Sequence, residues 1–378
     1  MLGIRSKWVS PIGLDIGHDC LKMLQLERQQ ESLRVLGAAK ERLPAELRGE
    51  VIGGYRRYHF VADSIRRMLK SSSFKGRDII VSLSKNSYDY TYLCLPEETA
   101  PQSDPLFLQQ VEAQLGLTEE TSQIHTFPSG RVREGNELSQ QYLVFGMSDE
   151  AWLEQRMMLD DIRFESINPD PIPCAFYRNL LLFQGGNRNQ KRTLVGVDIG
   201  GSSSTVIILN HTNLCWVRHV GIGGEDWTRL IVKKFRISPD EALQMRMRSA
   251  SVVNDRPGGT WSQAGRDQID RALGDLVRGQ VEDLAQEIKL GLEYYGRRYQ
   301  ADPPQEILVF GGEAACPLVL SLLEKILKRK IRIGRCFDGI SLESGAIQHL
   351  SEPPFSEWSV AIGLCLKPKT LKKLSVPA

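Results

Sequence analysis

The sequence lacks the features that define several large classes of protein. Its 48 Lys and Arg residues face 46 Asp and Glu residues, so the formal net charge is only +2. A dedicated nucleic-acid-binding protein needs an excess of positive charge, and we therefore expect no nucleic-acid partner. The longest dense apolar run, Leu180–Phe183, is far shorter than the roughly 20 residues that span a bilayer. We expect no direct membrane insertion.

Cysteine is also used sparingly. The seven cysteines are odd in number and include no Cys-x-x-Cys pair, which indicates neither a disulfide framework nor a zinc site. Residues 1–11 lack the apolar stretch of a signal peptide. The chain is 41% hydrophobic, enough to bury a large core, and its 378 residues predict about two or three domains. We expect a cytoplasmic protein.

A repeated motif is the main organising feature of the chain. Residues 13–17 read Gly-Leu-Asp-Ile-Gly and residues 196–200 read Gly-Val-Asp-Ile-Gly, 183 positions further on. Each copy is followed by a polar turn and two strand-like runs, 21–26 and 33–39 in the first copy, 205–209 and 214–222 in the second. The shared pattern of three strands around the motif predicts an internal duplication.

The chemistry of this motif suits a phosphate group. A turn rich in glycine and small hydroxyl residues exposes backbone N–H groups to an anion, and an Asp at the end of the preceding strand places a carboxylate near Mg²⁺ and its waters. Two such hairpins, facing each other across a cleft, would hold the phosphates of one nucleotide. The alternative is that Gly17 and Gly200 only permit tight turns, which the aspartates cap.

Between the two copies, the pattern predicts a small inserted α+β region. We expect strands at 79–84, 88–95 and 142–147, and amphipathic helices at 104–117 and 149–162. Polar segments containing Pro or Gly, 98–105 and 128–139, are interpreted as connections. The polar, basic segment 184–192 is interpreted as a surface linker before the second copy.

The second half carries two further glycine pairs. Gly223 and Gly224 open a predicted helix, a place where an anion or hydroxyl can bind. Gly311 and Gly312 follow the apolar strand 306–310, and adjacent glycines let a flat ring approach the backbone closely. Residues 267–299 have the periodicity of a long amphipathic helix, and 250–266 are predicted to be a loop. Tight turns alone would also explain both glycine pairs.

Taken in this order, the motifs resemble those of the actin-like ATPase superfamily, and within it the PilM family of type IV pilus assembly. The resemblance covers residues 12 to about 366. It implies an α/β, actin-like (ribonuclease H-like) duplicated two-lobe fold with a small inserted α+β subdomain. Residues 1–81 would begin lobe I, 82–168 would form the inserted subdomain, and 169–378 would close lobe I and form lobe II.

The resemblance also implies a site for ATP and Mg²⁺. Asp15 and Asp198 would reach Mg²⁺ through water, Gly223 and Gly224 would lie near the ribose, and Gly311 and Gly312 against the adenine. The residues assigned to the cofactor are Asp15, Gly17, His18, Lys22, Asp198, Gly200, Gly201, Ser202, Ser203, Gly223, Gly224, Arg246, Gly311, Gly312 and Glu313.

The sequence departs from the family pattern at three places. His18-Asp19-Cys20 stands where a serine-rich turn is usual, and an extra carboxylate repels a triphosphate unless a cation intervenes. Leu243 stands where a nucleoside-contacting Glu is usual, with Arg246 in place of a Lys. Glu313 stands where a third glycine is common.

By resemblance, the function is that of a cytoplasmic scaffold, at most a slow ATPase. It would bind the cytoplasmic N-terminal segment of a PilN-like inner-membrane protein and other pilus assembly proteins, and so lie peripheral to the inner membrane. The partner groove would involve residues 82–168. One alternative is a small-molecule kinase with Asp19 as its base, and another is the cytoplasmic scaffold of a type II secretion system.

Overall fold

The computed structural model describes residues 8–29, 32–48, 54–83, 85–97, 99, 101, 104, 106–117, 122–134, 137–184, 193–248, 263–342, 350, 353 and 355–368. The chain divides into two compact units. The first comprises Met1–Arg192, Leu209–Cys215 and Arg335–Ala378, and the second comprises Thr193–Ile208 and Trp216–Gly334. The predicted linker at 185–192 and residues 250–262 of the predicted loop lie outside the described residues.

The first unit is built on a six-stranded mixed sheet with the order β14-β3-β2-β1-β4-β8. Its strands are β1 (Ile12–Ile16), β2 (Cys20–Gln29), β3 (Ser32–Arg42), β4 (Asp78–Leu83), β8 (Ser166–Pro171) and β14 (Ile340–Ser341). The strands β1, β2 and β3 pair antiparallel, whereas β4 pairs parallel with both β1 and β8.

Helices bury the apolar side chains of this sheet. The helices α1 (Tyr55–Ser71) and α3 (Leu153–Asp160) supply a core with β1–β4, which includes Leu14, Met23 and Ile65. Two further helices, α4 (Ile172–Gln184) and α9 (Ser359–Cys365), pack on Ile80 of β4. A Cβ at Gly363 would overlap the carbonyl of Ala175, so α4 and α9 approach closely only because this residue is glycine.

The inserted segment forms its own three-stranded antiparallel sheet, with the order β5-β7-β6. Its elements are β5 (Asp89–Pro96), β6 (Ser122–Glu134), β7 (Glu137–Ser148) and the helix α2 (Phe107–Leu115), which packs on Leu93, Leu95 and Val144. The prediction of a connection over 128–139 was wrong, because most of that segment belongs to the β6–β7 hairpin. A register shift between Pro128 and Gly130 interrupts the strand pattern of the sequence. Proline and glycine are tolerated at such a bulge because β6 is an edge strand.

The second unit is built on a five-stranded sheet with the order β11-β10-β9-β12-β13. The strands are β9 (Thr193–Ile199), β10 (Ser204–Asn210), β11 (Asn213–Val220), β12 (Glu306–Phe310) and β13 (Lys330–Ile333). The residues at the tip of the β10–β11 hairpin, Leu209–Cys215, group with the first unit. The strand β12 pairs parallel with both β9 and β13.

Four helices complete the second unit: α5 (Gly224–Phe235), α6 (Pro239–Arg248), α7 (Gln263–Tyr299) and α8 (Pro317–Leu327). The periodicity predicted for α7 is confirmed, because Leu273, Val277, Val281, Leu284, Ile288 and Leu292 are all buried. The helix also extends to Gln263, so residues 263–266 of the predicted loop are helical.

The two sheets have a common plan. In the first unit the order β3-β2-β1-β4-β8 places the Asp-Ile-Gly strand β1 between its hairpin partner β2 and the parallel strand β4. In the second unit β11-β10-β9-β12-β13 places β9 between β10 and β12 in the same way. The structure therefore confirms the duplication predicted from the repeat. Within the described part of the chain, no helix combines the length and apolar character needed to cross a membrane.

Candidate functional site

In the first unit, the Asp-Ile-Gly motif forms the tight turn between β1 and β2. The amide of Gly17 donates to the carbonyl of Cys20 at 3.1 Å. A Cβ at Gly17 would lie 2.8 Å from that same carbonyl oxygen, so the turn requires glycine. The guanidinium of Arg57, from α1, donates to the carbonyl of Gly17 at 3.0 Å and fixes the turn from behind.

Asp15 and Lys22 are buried together beside this turn. The ammonium of Lys22 lies 3.0 Å from Oδ2 of Asp15, and both residues are less than 8% exposed. Oδ1 of Asp15 accepts a hydrogen bond from Ser82 at 3.2 Å. Burial opposes the charge of Lys22, but nearby anionic groups, among them Asp15, outweigh it and raise the pKa of Lys22 well above its ordinary value. The Asp15 carboxylate is thus neutralised by a side chain of the protein itself.

Asp19, the unusual carboxylate of the first turn, lies near two cationic or polar nitrogens. Nε2 of His18 is 3.8 Å from Oδ1 of Asp19, and Nε of Arg48 is 4.0 Å from the same oxygen. A general base for a kinase would need a carboxylate aimed at a substrate hydroxyl. The surroundings of Asp19 instead give it protein partners.

In the second unit, the corresponding turn repeats the same backbone hydrogen bond. The amide of Gly200 donates to the carbonyl of Ser203 at 2.9 Å, and a Cβ at Gly200 would lie 3.1 Å from that oxygen. Among the residues the structure describes, the amides of Gly201, Ser202 and Ser203 meet no protein acceptor. Three consecutive open N–H groups beside the half-buried Asp198 are the donors that a phosphate needs.

The glycine pair at the start of α5 packs against this turn. The amide of Gly224 donates to the carbonyl of Gly200 at 3.0 Å, and the amide of Glu225 donates to that of Gly201 at 2.7 Å. A Cβ at Gly223 would lie 2.6 Å from the Gly201 oxygen, so Gly223 is needed for close packing. The first amides of α5 are therefore engaged by the turn rather than open to an anion.

The second glycine pair, Gly311 and Gly312, directly follows β12 and leads the chain into the interior of the unit. Gly311 has φ of +91°, and a Cβ there would overlap the backbone of Ile199 at the end of β9. Gly312 has open space around it. The short 3₁₀ turn Gly312–Ala315 that follows places Glu313 inside the unit, where only 4% of the residue is exposed.

Arg246 and Glu313 form a buried, two-point ion pair. Both terminal nitrogens of Arg246 donate to the Glu313 carboxylate, one of them at 2.8 Å to Oε1, and Nε donates to Thr228 at 3.0 Å. The guanidinium also lies 5.9 Å from the ring of Trp227. Burial opposes the charge, but hydrogen bonds and attraction from Glu313 outweigh it and raise the pKa of Arg246.

Each unit therefore brings its predicted residues together, with some additional groups. The motif alone gave no sign of Ser82 beside Asp15. Thr228 lies one helical turn after Gly224 and donates to its carbonyl at 2.8 Å, a spacing that could have suggested it. Within the described residues, no group of three or more His, Cys, Asp or Glu side chains could hold a metal ion directly.

The duplicated sheet plan, with an Asp-Ile-Gly turn in each copy, defines a protein with the actin-like fold. A solved structure named as the PilM–PilN type IV pilus biogenesis complex aligns with 94% of this chain and 98% of its own, with a TM-score of 0.70 and 19% identity. MreB5 of Spiroplasma citri bound to AMPPNP aligns over 93% of each chain, with a TM-score of 0.46 and 12% identity. The predicted resemblance to PilM is confirmed at the level of the fold.

The sequence comparisons point the same way. Residues 195–357 match the family described as cell division protein FtsA. The FtsA of Bacillus subtilis (strain 168) is 26% identical over 152 residues, which cover 36% of this chain. The match spans about a third, 32%, of the length of that relative.

Proposed function

We propose that this protein is an actin-like scaffold of type IV pilus assembly. The observation that carries the proposal is its likeness to PilM of the PilM–PilN complex, which extends over 94% of this chain and so includes the inserted sheet. By this proposal the protein is cytoplasmic and lies peripheral to the inner membrane through its partner. Other pilus assembly proteins would be further partners.

The proposed partner is the cytoplasmic N-terminal segment of a PilN-like inner-membrane protein. The inserted sheet offers a surface for an extended peptide, because β5 is an edge strand of the order β5-β7-β6. Tyr90 and Tyr92 lie half-buried on one face of this strand, with their ring centroids 6.5 Å apart. Aromatic side chains at an edge combine apolar area with a polar tip, which suits peptide recognition.

This proposal is tested by fluorescence anisotropy with a labelled peptide that contains the cytoplasmic N-terminus of a PilN-like protein. We expect micromolar binding to the wild-type chain and at least a tenfold loss in the variant carrying both Tyr90→Ser and Tyr92→Ser. Tyr55→Ser is the matched control, because Tyr55 lies on α1 and is 79% exposed. This variant should bind the peptide with the same affinity as the wild type. No binding to the wild type would refute the proposed partner.

We also propose that the turn 198–203 holds the phosphates of ATP, with Asp198 reaching Mg²⁺ through water. The three open amides of this turn and the adjacent carboxylate support the proposal. Calorimetric titration with ATP and Mg²⁺ should show binding that Asp198→Ala weakens at least tenfold. Asp275→Ala, on the exposed side of α7, is the control and should leave the affinity unchanged. Hydrolysis would be slow at most, since we assign no general base.

A further inference from the structure

All three guanidinium nitrogens of Arg246 donate hydrogen bonds inside the second unit. The two terminal nitrogens of Arg246 are bound by one carboxylate, and its Nε is bound by the hydroxyl of Thr228. The side chains of Arg246 and Glu313 are only 2% and 5% exposed. A buried, two-point ion pair of this kind holds its partners in place, because either charge alone would be costly to bury.

This pair lies directly against the backbone of Gly224. A Cβ added to Gly224 would overlap the Glu313 carboxylate and lie 2.8 Å from a terminal nitrogen of Arg246. The open surface that a glycine usually offers is therefore covered by protein side chains. Gly312, by contrast, has open space around it, and the amides of residues 201–203 meet no acceptor among the described residues.

The residues of the second unit thus fit one part of a nucleotide and not the other. The amides of residues 201–203, which meet no acceptor among the described residues, can donate to phosphate oxygens. The backbone of Gly224, which the resemblance assigns to the ribose, is occupied by the ion pair. Because the pair is neutral as a whole, it also offers no free positive charge to a phosphate.

We propose that the Arg246–Glu313 pair closes the nucleoside side of this site, so that the second unit binds the polyphosphate chain of a nucleotide without reading its nucleoside. This inference rests on the proposed phosphate-binding function of the turn 198–203. A nucleoside enters only when Glu313 leaves Arg246. Arg246 and Glu313 are then the residues that determine specificity at this site.

The test compares ATP with inorganic triphosphate, each titrated calorimetrically with Mg²⁺ into the full chain. In the wild type we expect the two affinities to agree within threefold, because the nucleoside adds no contact. Glu313→Gly should raise the affinity for ATP at least tenfold above that for triphosphate. The variant carrying both Arg246→Ala and Glu313→Gly removes both charges, and it gives the same readout if the single variant does not fold.

Glu282→Ala, an exposed charge change on α7, is the control and should preserve the wild-type ratio. The wild type could instead bind ATP at least tenfold more tightly than triphosphate, with the same preference in both Glu313 variants. That result would refute the proposal that the ion pair closes the nucleoside side, while leaving the phosphate site intact. If neither ligand binds to any folded variant, the proposed nucleotide function itself fails, and this inference fails with it.

Discussion

The ammonium group of Lys22 lies 3.0 Å from Oδ2 of Asp15, in the interior of the first unit. Lys22 on β2 and Asp15 on β1 are directly opposite each other in the antiparallel register. The Asp15 carboxylate in the first Asp-Ile-Gly strand therefore forms an ion pair with a cation from the neighbouring strand. This relationship makes the pair a structural element of the first turn, in addition to any role toward a ligand.

Removing one partner of this pair should destabilise the protein. We expect Lys22→Met to lower the free energy of unfolding by about 3–5 kcal/mol, because it leaves the Asp15 carboxylate buried without a cation. The double variant with Asp15→Asn should recover most of that loss, since no lone charge is left. Urea denaturation at pH 7 measures both values. Equal losses in the single and double variants would show that the pair is not coupled.

His125 should make stability depend on pH. It is buried beside Lys367, Asp170 and Arg178, and burial is the main cause that lowers its pKa from 6.5 to about 3. Between pH 6.5 and about pH 3, His125 binds a proton in the unfolded chain but not in the folded protein. Its contribution to stability is therefore complete above about pH 6.5 and is lost as the pH falls toward 3.

The measurement is the free energy of unfolding between pH 6 and pH 4. In His125→Gln the fall with decreasing pH should be shallower by up to about 1.4 kcal/mol per pH unit, the value of one proton. The two proteins should differ by a constant amount above pH 7. Parallel curves across the whole range would show that His125 takes up its proton equally in both states.

The two glycines after β12 should respond differently to the same substitution. Gly311→Ala requires an L side chain at φ of +91° and overlaps the backbone of Ile199, so we expect a loss of at least about 2 kcal/mol. Gly312→Ala has open space and should change stability by less than about 0.5 kcal/mol. Chemical denaturation of the two variants side by side tests this contrast. Equal effects would contradict the packing of Gly311 on β9.

Gly363→Ala should loosen the contact between α4 and α9. The added methyl overlaps the carbonyl of Ala175, and overpacking of this kind costs about 1–3 kcal/mol. Gly279→Ala, in an open position on α7, is the control and should stabilise the chain by about 0.5–1 kcal/mol through helix propensity. Thermal unfolding followed by circular dichroism measures both. A stabilised Gly363→Ala would show that the helices can separate freely.

Local sequence predicted the turns and strands of the repeat because their determinants lie within a few residues. At Gly17 and Gly200 a Cβ would lie too close to the carbonyl oxygen three residues later. The repeated Asp-Ile-Gly motif is enough to predict a tight turn at each position. The β6–β7 hairpin was not predicted, because its polar residues and Pro128 are tolerated in an edge strand for reasons that depend on the fold.

The Arg246–Glu313 pair was not predicted because its partners are 67 positions apart. Two departures from the family pattern together carried the signal. An acid is missing at Leu243, and an acid is gained at Glu313, where glycine is common. Considered as one exchange, they would have suggested that a buried cation at Arg246 takes its counter-ion from a different loop.

The two turns have the same backbone hydrogen bond, from Gly17 to Cys20 in one and from Gly200 to Ser203 in the other. The side chains that follow each glycine differ almost completely. The first turn contains His18, Asp19 and Cys20, and the second contains Gly201, Ser202 and Ser203. The two turns thus share a main-chain hydrogen bond and differ in the chemistry of their side chains. By the proposed function, the second copy binds the ligand, whereas in the first copy the motif carboxylate of Asp15 is paired with Lys22.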